Sequence, residues 1–295
     1  LNHADHIFTF GPGAAEVVAE VSGFGWRLTR ERRAARAQHF LGIPLPLPPQ
    51  ALPPQEAARA KVEGPILSIG HASKYSPDGA NDFAAFLLAL MDRSDRAVEL
   101  IGPTANEPWW QPVLARYGDR LRLRGTLPYA ETRARLAAAA CYVDSFPITG
   151  GTALTQALMA GKAVFAPPYP AGGYSLADAL RAPSMATMTE QLLAFLSSGQ
   201  EPPLQAVIRQ RIAAEFGSDA LTRRLARLEE GAQDPPPAEM LAAATDLDYY
   251  TDAWRRSGRA AFIPPPLAKL DLVTRLTLGA RVLGQRKIHR PRRKD

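Results

Sequence analysis

A chain of 295 residues with 46% hydrophobic and 22% charged side chains is long enough to build two modest cores, which excludes disorder for most of it. Its longest apolar run, "FAAFLLALM" at 83–91, falls far short of the roughly 20 residues that cross a bilayer. The formal charge of +6 would suit nucleic acid, but six basic side chains against Asp295 alone lie in "QRKIHRPRRKD" at 285–295, so the body is close to neutral. That distribution argues against a nucleic-acid-binding domain and for a tail drawn to an anionic surface.

The chain starts at Leu1 with "LNHADHIFTFG", which reads as the edge of a strand already inside a fold. A missing true N-terminus is therefore expected, with residues 1–40 as the remnant of an N-terminal, acceptor-side domain. Within this stretch "AAEVVAEVSGFG" reads as a helix ending at glycine. His3, Asp5 and His6 are the titratable candidates here, and strand alternation would put His3 and Asp5 on one face and His6 on the other. Residues 41–61 contain "LGIPLPLPPQALPPQEAA", too rich in proline for a helix or an interior strand, and form a linker.

From 62 to 200 the chain alternates strand-like and helix-like segments. "PILSIG", "AVELIG", "LRLRG", "CYVDSF" and "AVFAP" are apolar and short, as buried parallel strands are. Between them "DFAAFLLALMD", "WWQPVLARYG", "YAETRARLAAAA" and "TALTQALMAG" have helical spacing or high Ala and Leu content. This cadence predicts βαβ crossovers and an α/β, Rossmann-like parallel sheet. Cys141, the one cysteine, opens a strand as a small buried hydrophobe, in keeping with a reducing compartment. Residues 201–232 read as one or two amphipathic C-terminal helices, and 233–295 as a proline-interrupted extension with a basic tail.

Ligands of open parallel sheets sit beyond the carboxyl ends of the strands, which directs attention to "HASKYSPDGAND" and "PITGGTAL". In the second loop Gly150 and Gly151 permit close backbone approach, and the following helix N-terminus favours an anion. Thr152 either adds a hydroxyl to that anion or caps the helix. Lys74 is either a solvated lysine or the cation of a diphosphate clamp, and His71 directly follows the first strand. The Asp-x-Asp triplet at 246–248 lies beyond the sheet as a polar helix start, so neither a required metal nor a cofactor is expected.

The order "SIG…SK", "VELIGP", "LRLRG", "YVDSFP…GGT" and "ALMAGKAV", closed by the "TEQLLAFL" helix, resembles the C-terminal, donor-binding half of a GT-B glycosyltransferase. The similarity is greatest to the branch of O-linked N-acetylglucosamine transferases and related bacterial enzymes. The resemblance implies transfer of a hexosyl or N-acetylhexosaminyl group from a nucleotide-sugar donor, UDP-linked in that branch, to an acceptor it does not identify. It implies donor contacts from His71, Lys74, Gly150, Gly151, Thr152 and Gln156, and an acceptor base among His3, Asp5 and His6. The chain departs from the branch at Ala153, where a second threonine is common, and at Gln156, a neutral group where an aspartate suits ribose. Paired glutamates eight residues apart, frequent in retaining enzymes, are replaced by Ile148 and Gln156, so an inverting, metal-independent reaction is expected. Alternatives of similar architecture are a sugar-nucleotide epimerase and a noncatalytic binding module. A cytoplasmic location is expected, with peripheral contact at the inner membrane face through 267–295, where Leu267, Leu270, Val273, Leu276, Ala280 and Leu283 form an apolar stripe among basic residues.

Overall fold

The computed structural model describes residues 6–9, 37–42, 62–79, 81–149, 151–169, 175–232, 234–238 and 240. Two short strands, β1 (His6–Thr9) and β2 (Ala37–Phe40), pair in parallel with His6 opposite Ala37. The main sheet comprises β3 (Ile66–Ile69), β4 (Val98–Ile101), β5 (Leu121–Leu123), β6 (Cys141–Val143) and β7 (Ala163–Phe165). All five run parallel in the order β5-β4-β3-β6-β7.

Both faces of this sheet are covered, which explains why its strands lack a polar alternation. On one face Ile66, Val98, Leu100, Cys141, Val143 and Phe165 pack against α1 (Phe83–Arg93), α2 (Gln111–Tyr117) and α5 (Met185–Ser198). On the other Leu67, Tyr142 and Val164 meet α3 (Tyr129–Ala138), α4 (Thr152–Met159) and α6 (Pro203–Phe216). A further helix, α7 (Ser218–Glu229), follows a break at Gly217. Cys141 is fully buried, and burial pushes its thiol up to about 12.

Local chemistry sets the helix ends. Asp82 caps α1 by accepting from the N–H groups of Ala84 at 2.8 Å and Ala85 at 3.1 Å, and Phe83, Phe86, Leu87, Leu90 and Met91 then recur on the core side. At the end of α5, Gly199 turns left-handed with φ 69° and donates to Phe195 O at 2.8 Å. The buried Gln205 amide of α6 accepts from Val164 N at 2.9 Å and donates to Val164 O at 2.6 Å, satisfying an edge strand of the sheet. Thus α6 belongs to the second core. It also receives the β2 end, where Phe40 meets Phe216 edge to face and Arg224 donates to Leu41 O at 3.2 Å.

The "VELI" strand, apolar by its pattern, carries a buried carboxylate. Glu99 is held by Arg124 at 3.2 Å and Arg135 at 2.9 Å, linking β4 to the end of β5 and to α3. A buried carboxylate requires such pairing.

Candidate functional site

The strand order reverses between β3 and β6, and it is beyond the carboxyl ends at such a reversal, in the crevice beside the two outgoing loops, that ligands of open parallel sheets bind. Past β3, Gly70 N still bonds Ile101 O at 3.0 Å, and the chain then turns into a 3₁₀ helix, Ala72–Tyr75. His71 caps that helix: its Nδ1 accepts from Ser73 N at 3.3 Å and lies 3.0 Å from Ser73 Oγ. Tyr75 anchors the turn from beneath. Its ring is fully buried against Phe83 and Trp110, its hydroxyl lies 2.9 Å from Ser68 Oγ, and burial raises its pKa well above the phenolic range. With Tyr75 fixed inward, Lys74 is held at the crevice.

Past β6 the chain enters a loop whose polar groups are tied internally. Asp144 is fully buried, accepts from Ser145 N at 3.0 Å, and is met by the Thr149 hydroxyl and by Arg181 Nη1 at 3.4 Å. Ser145 Oγ donates to Ile148 O at 2.9 Å, and the Phe146–Pro147 peptide is cis. Gly151 follows with φ 58° and ψ −102°, a conformation that favours glycine, and a Cβ there would enter open space.

The two loops meet through Lys74 and Thr149. Lys74 Nζ donates to Thr149 O at 2.7 Å, and Ile148 N donates back to Lys74 O at 3.3 Å. A cation and the N-terminus of α4 thereby share one side of the crevice. Gly151 N–H turns inward to Thr149 Oγ1 at 3.3 Å. An α-helix cannot pair its own first N–H groups, so Thr152, Ala153 and Leu154 are the positions whose donors face beyond the end of α4.

Of the residues singled out by sequence, His71 and Lys74 lie on the loop after β3, Gly151 and Thr152 at the start of α4, and Gln156 one turn further along α4, partly exposed; Lys74 reaches the second loop at Thr149. Thr152 is the first residue of α4 and exposed; Gly151 occupies the cap position, so the capping alternative for Thr152 does not hold. Gly150, His3 and Asp5 lie outside the described residues, as do the upstream helix and the stripe at 267–295. His6 begins β1, with its side chain also outside the description. Two contributors were missed, Thr149 and Arg181. Arg181 had one legible signal, a lone cation three residues after Asp178 in the apolar run "LADALRAP".

Among the described residues no cluster of His, Cys, Asp and Glu is arranged to hold a metal ion, and no helix is long and apolar enough to cross a membrane. A separate groove of about 450 Å³, lined by Arg93, Arg96, Leu193 and Leu196, opens where β4 begins, at the edge opposite the crevice.

No protein-family model matches the chain, and no curated protein sequence does. Solved structures do. An S. aureus TarM variant in complex with fondaparinux, alpha-GlcNAc-glycerol and UDP is similar over 77% of this chain and 44% of its own, with 9% identity and a TM-score of 0.53. Sucrose-phosphate synthase from Thermosynechococcus elongatus is similar over 78% of this chain and 59% of its own, with 16% identity and a TM-score of 0.52. The pneumococcal O-GlcNAc transferase GtfA, in complex with UDP and GlcNAc, covers 77% of this chain and 45% of its own at 14% identity, with a TM-score of 0.49. The chain therefore spans between 44% and 59% of the length of these three structures. Its strand order, its two helical layers and the likenesses to the TarM and sucrose-phosphate synthase structures show a Rossmann-like α/β fold of the kind those two structures contain.

Proposed function

We propose that this protein transfers a sugar from a nucleotide-sugar donor, with the donor diphosphate held between Lys74 and the N-terminus of α4. The observation that carries the reading is the 2.7 Å bond from Lys74 Nζ to Thr149 O, which brings the cation to the helix end at the point where the strand order reverses. A cation and a helix N-terminus both favour an anion, and together they stabilise a departing nucleoside diphosphate without calling on a metal ion. UDP is the proposed nucleotide, supported by its presence in the TarM complex of the same fold. Gln156 is assigned to the donor ribose, and the base that takes the acceptor proton in an inverting reaction is assigned, from sequence, to His3, Asp5 or His6.

A thermal-shift panel tests the donor assignment. UDP and UDP-sugars at saturating concentration raise the melting temperature and uridine does not, because a ligand bound only by the folded state stabilises it. A panel in which no nucleoside diphosphate shifts the transition would sink the reading. The acceptor is proposed to be a protein, a glycan or a lipid-linked glycan, and 267–295 is proposed to bring the protein to an anionic membrane surface. The expected result is co-sedimentation with anionic but not neutral liposomes, weakened by salt and lost on deleting 267–295; equal binding without that segment would refute it.

A further inference from the structure

Arg181 lies beyond the residues assigned to the donor, yet its side chain is built into their foundation. After β7 the chain returns through a 3₁₀ helix, Leu176–Leu180, capped by Ser175 and closed by Asp178 in a reciprocal capping box. Arg181 then forms a parallel bridge with Ala166, and Ala182 N bonds Ala166 O at 2.9 Å, so the backbone at Arg181 is fixed to the sheet. The guanidinium, with its side chain 8% exposed, lies over the Tyr169 ring and uses each of its nitrogens. Nε donates to Asp178 Oδ1 at 2.8 Å, Nη1 reaches Pro167 O and Asp144 Oδ2 at 3.4 Å each, and Nη2 donates to Thr149 Oγ1 at 2.8 Å.

Thr149 passes this restraint to the crevice. A hydroxyl offers one donor and two acceptor lone pairs, and all three are used here. It donates to Asp144, and it accepts from Arg181 and from Gly151 N. The backbone oxygen of the same residue accepts from Lys74. The side chain of Thr149 therefore sets the cap of α4 while its carbonyl sets the lysine, and the guanidinium fixes both through one residue.

We propose that Arg181 is the positioning residue of the diphosphate loop, acting through Thr149 on the N-terminus of α4 and on Lys74; this rests on the donor-site reading given above. The alternative role, neutralising the buried Asp144, needs only a positive charge. Lysine separates the two: it supplies a point charge but cannot reproduce a planar fork spanning Asp178, Pro167 O and Thr149.

The test is calorimetric titration of UDP into the full 295-residue chain and its variants, each with its melting temperature. Arg181→Lys and Thr149→Val each weaken UDP binding about tenfold, the loss of a charged hydrogen bond that orders a ligand site. The double variant binds no more weakly than either single one, because both cut the same relay. Thr149→Ser keeps the hydroxyl and wild-type affinity. Gln205→Leu, remote at the β7 edge, lowers the melting temperature but leaves UDP affinity unchanged. Wild-type affinity in Arg181→Lys, or losses that add in the double variant, would overturn the proposal while the donor site stands. If the wild-type chain itself fails to bind UDP, the donor reading and this proposal fall together. Should Arg181→Lys not fold, the Thr149 pair decides: affinity kept by Ser and lost by Val supports the relay, and equal affinity overturns it.

Discussion

Gly151 stands at the turn where the chain changes from a loop tied inward to a helix that faces the crevice. Its φ of 58° makes a side chain there strained, and under the proposed donor reading a side chain in the open space beside it would also obstruct the diphosphate. Gly151→Val is expected to cost about 1–3 kcal/mol of stability and to abolish measurable UDP binding at concentrations that saturate the wild type. Thr152→Ala, at an exposed position, is expected to leave the melting temperature alone and to weaken UDP binding by about 1 kcal/mol through loss of one hydroxyl contact. Normal UDP affinity in both variants would reduce the loop to a turn. Cys141 makes the contrasting case. With its thiol pushed up to about 12 by burial, it stays neutral at pH 8, and alkylation by iodoacetamide should proceed only at the rate of unfolding. Rapid labelling of the folded chain would contradict its place in the core.

At the scale of elements, the strands and helices over 66–198 were legible because apolar runs and helical spacing report burial directly. Polar groups that the fold buries were not. "VELI" conceals Glu99, whose arginine partners come from just past the end of β5 and from α3 and so are distant in sequence. Tyr75 looks like a loop aromatic beside Lys74 until its ring is found beneath the turn, and Arg181 sits in what reads as a plain apolar connector. Such roles depend on long-range pairing, which spacing along the chain does not carry. The close approach of the β3 and β4 ends depends on one backbone feature of this kind. Gly102 has φ 112°, and a Cβ there would lie 1.9 Å from Gly70 O, at the root of the His71 turn. Gly102→Ala is expected to destabilise the protein by about 3 kcal/mol or more in urea unfolding, since neither backbone can yield without breaking the ladder. A loss under about 1 kcal/mol would show that the two strand ends are not packed as described.

At the scale of the whole molecule, the cadence of strands and helices predicts a parallel sheet but not where its order turns back. A crossover is right-handed whichever neighbour the next strand chooses, so the position of β6 beside β3 is a tertiary fact. That placement makes the two loops chosen from sequence into neighbours, with Lys74 and Thr149 in contact although they are 75 residues apart. The central claim is that this junction recognises a diphosphate, and calorimetry of UDP against uridine, for the wild-type chain and Lys74→Ala, tests it most directly. The account predicts that UDP binds the wild type more tightly than uridine and that Lys74→Ala removes about 1.5–3 kcal/mol of UDP affinity while leaving uridine unaffected. UDP binding no tighter than uridine in the wild type, or a preference for UDP that survives intact in Lys74→Ala, would contradict it.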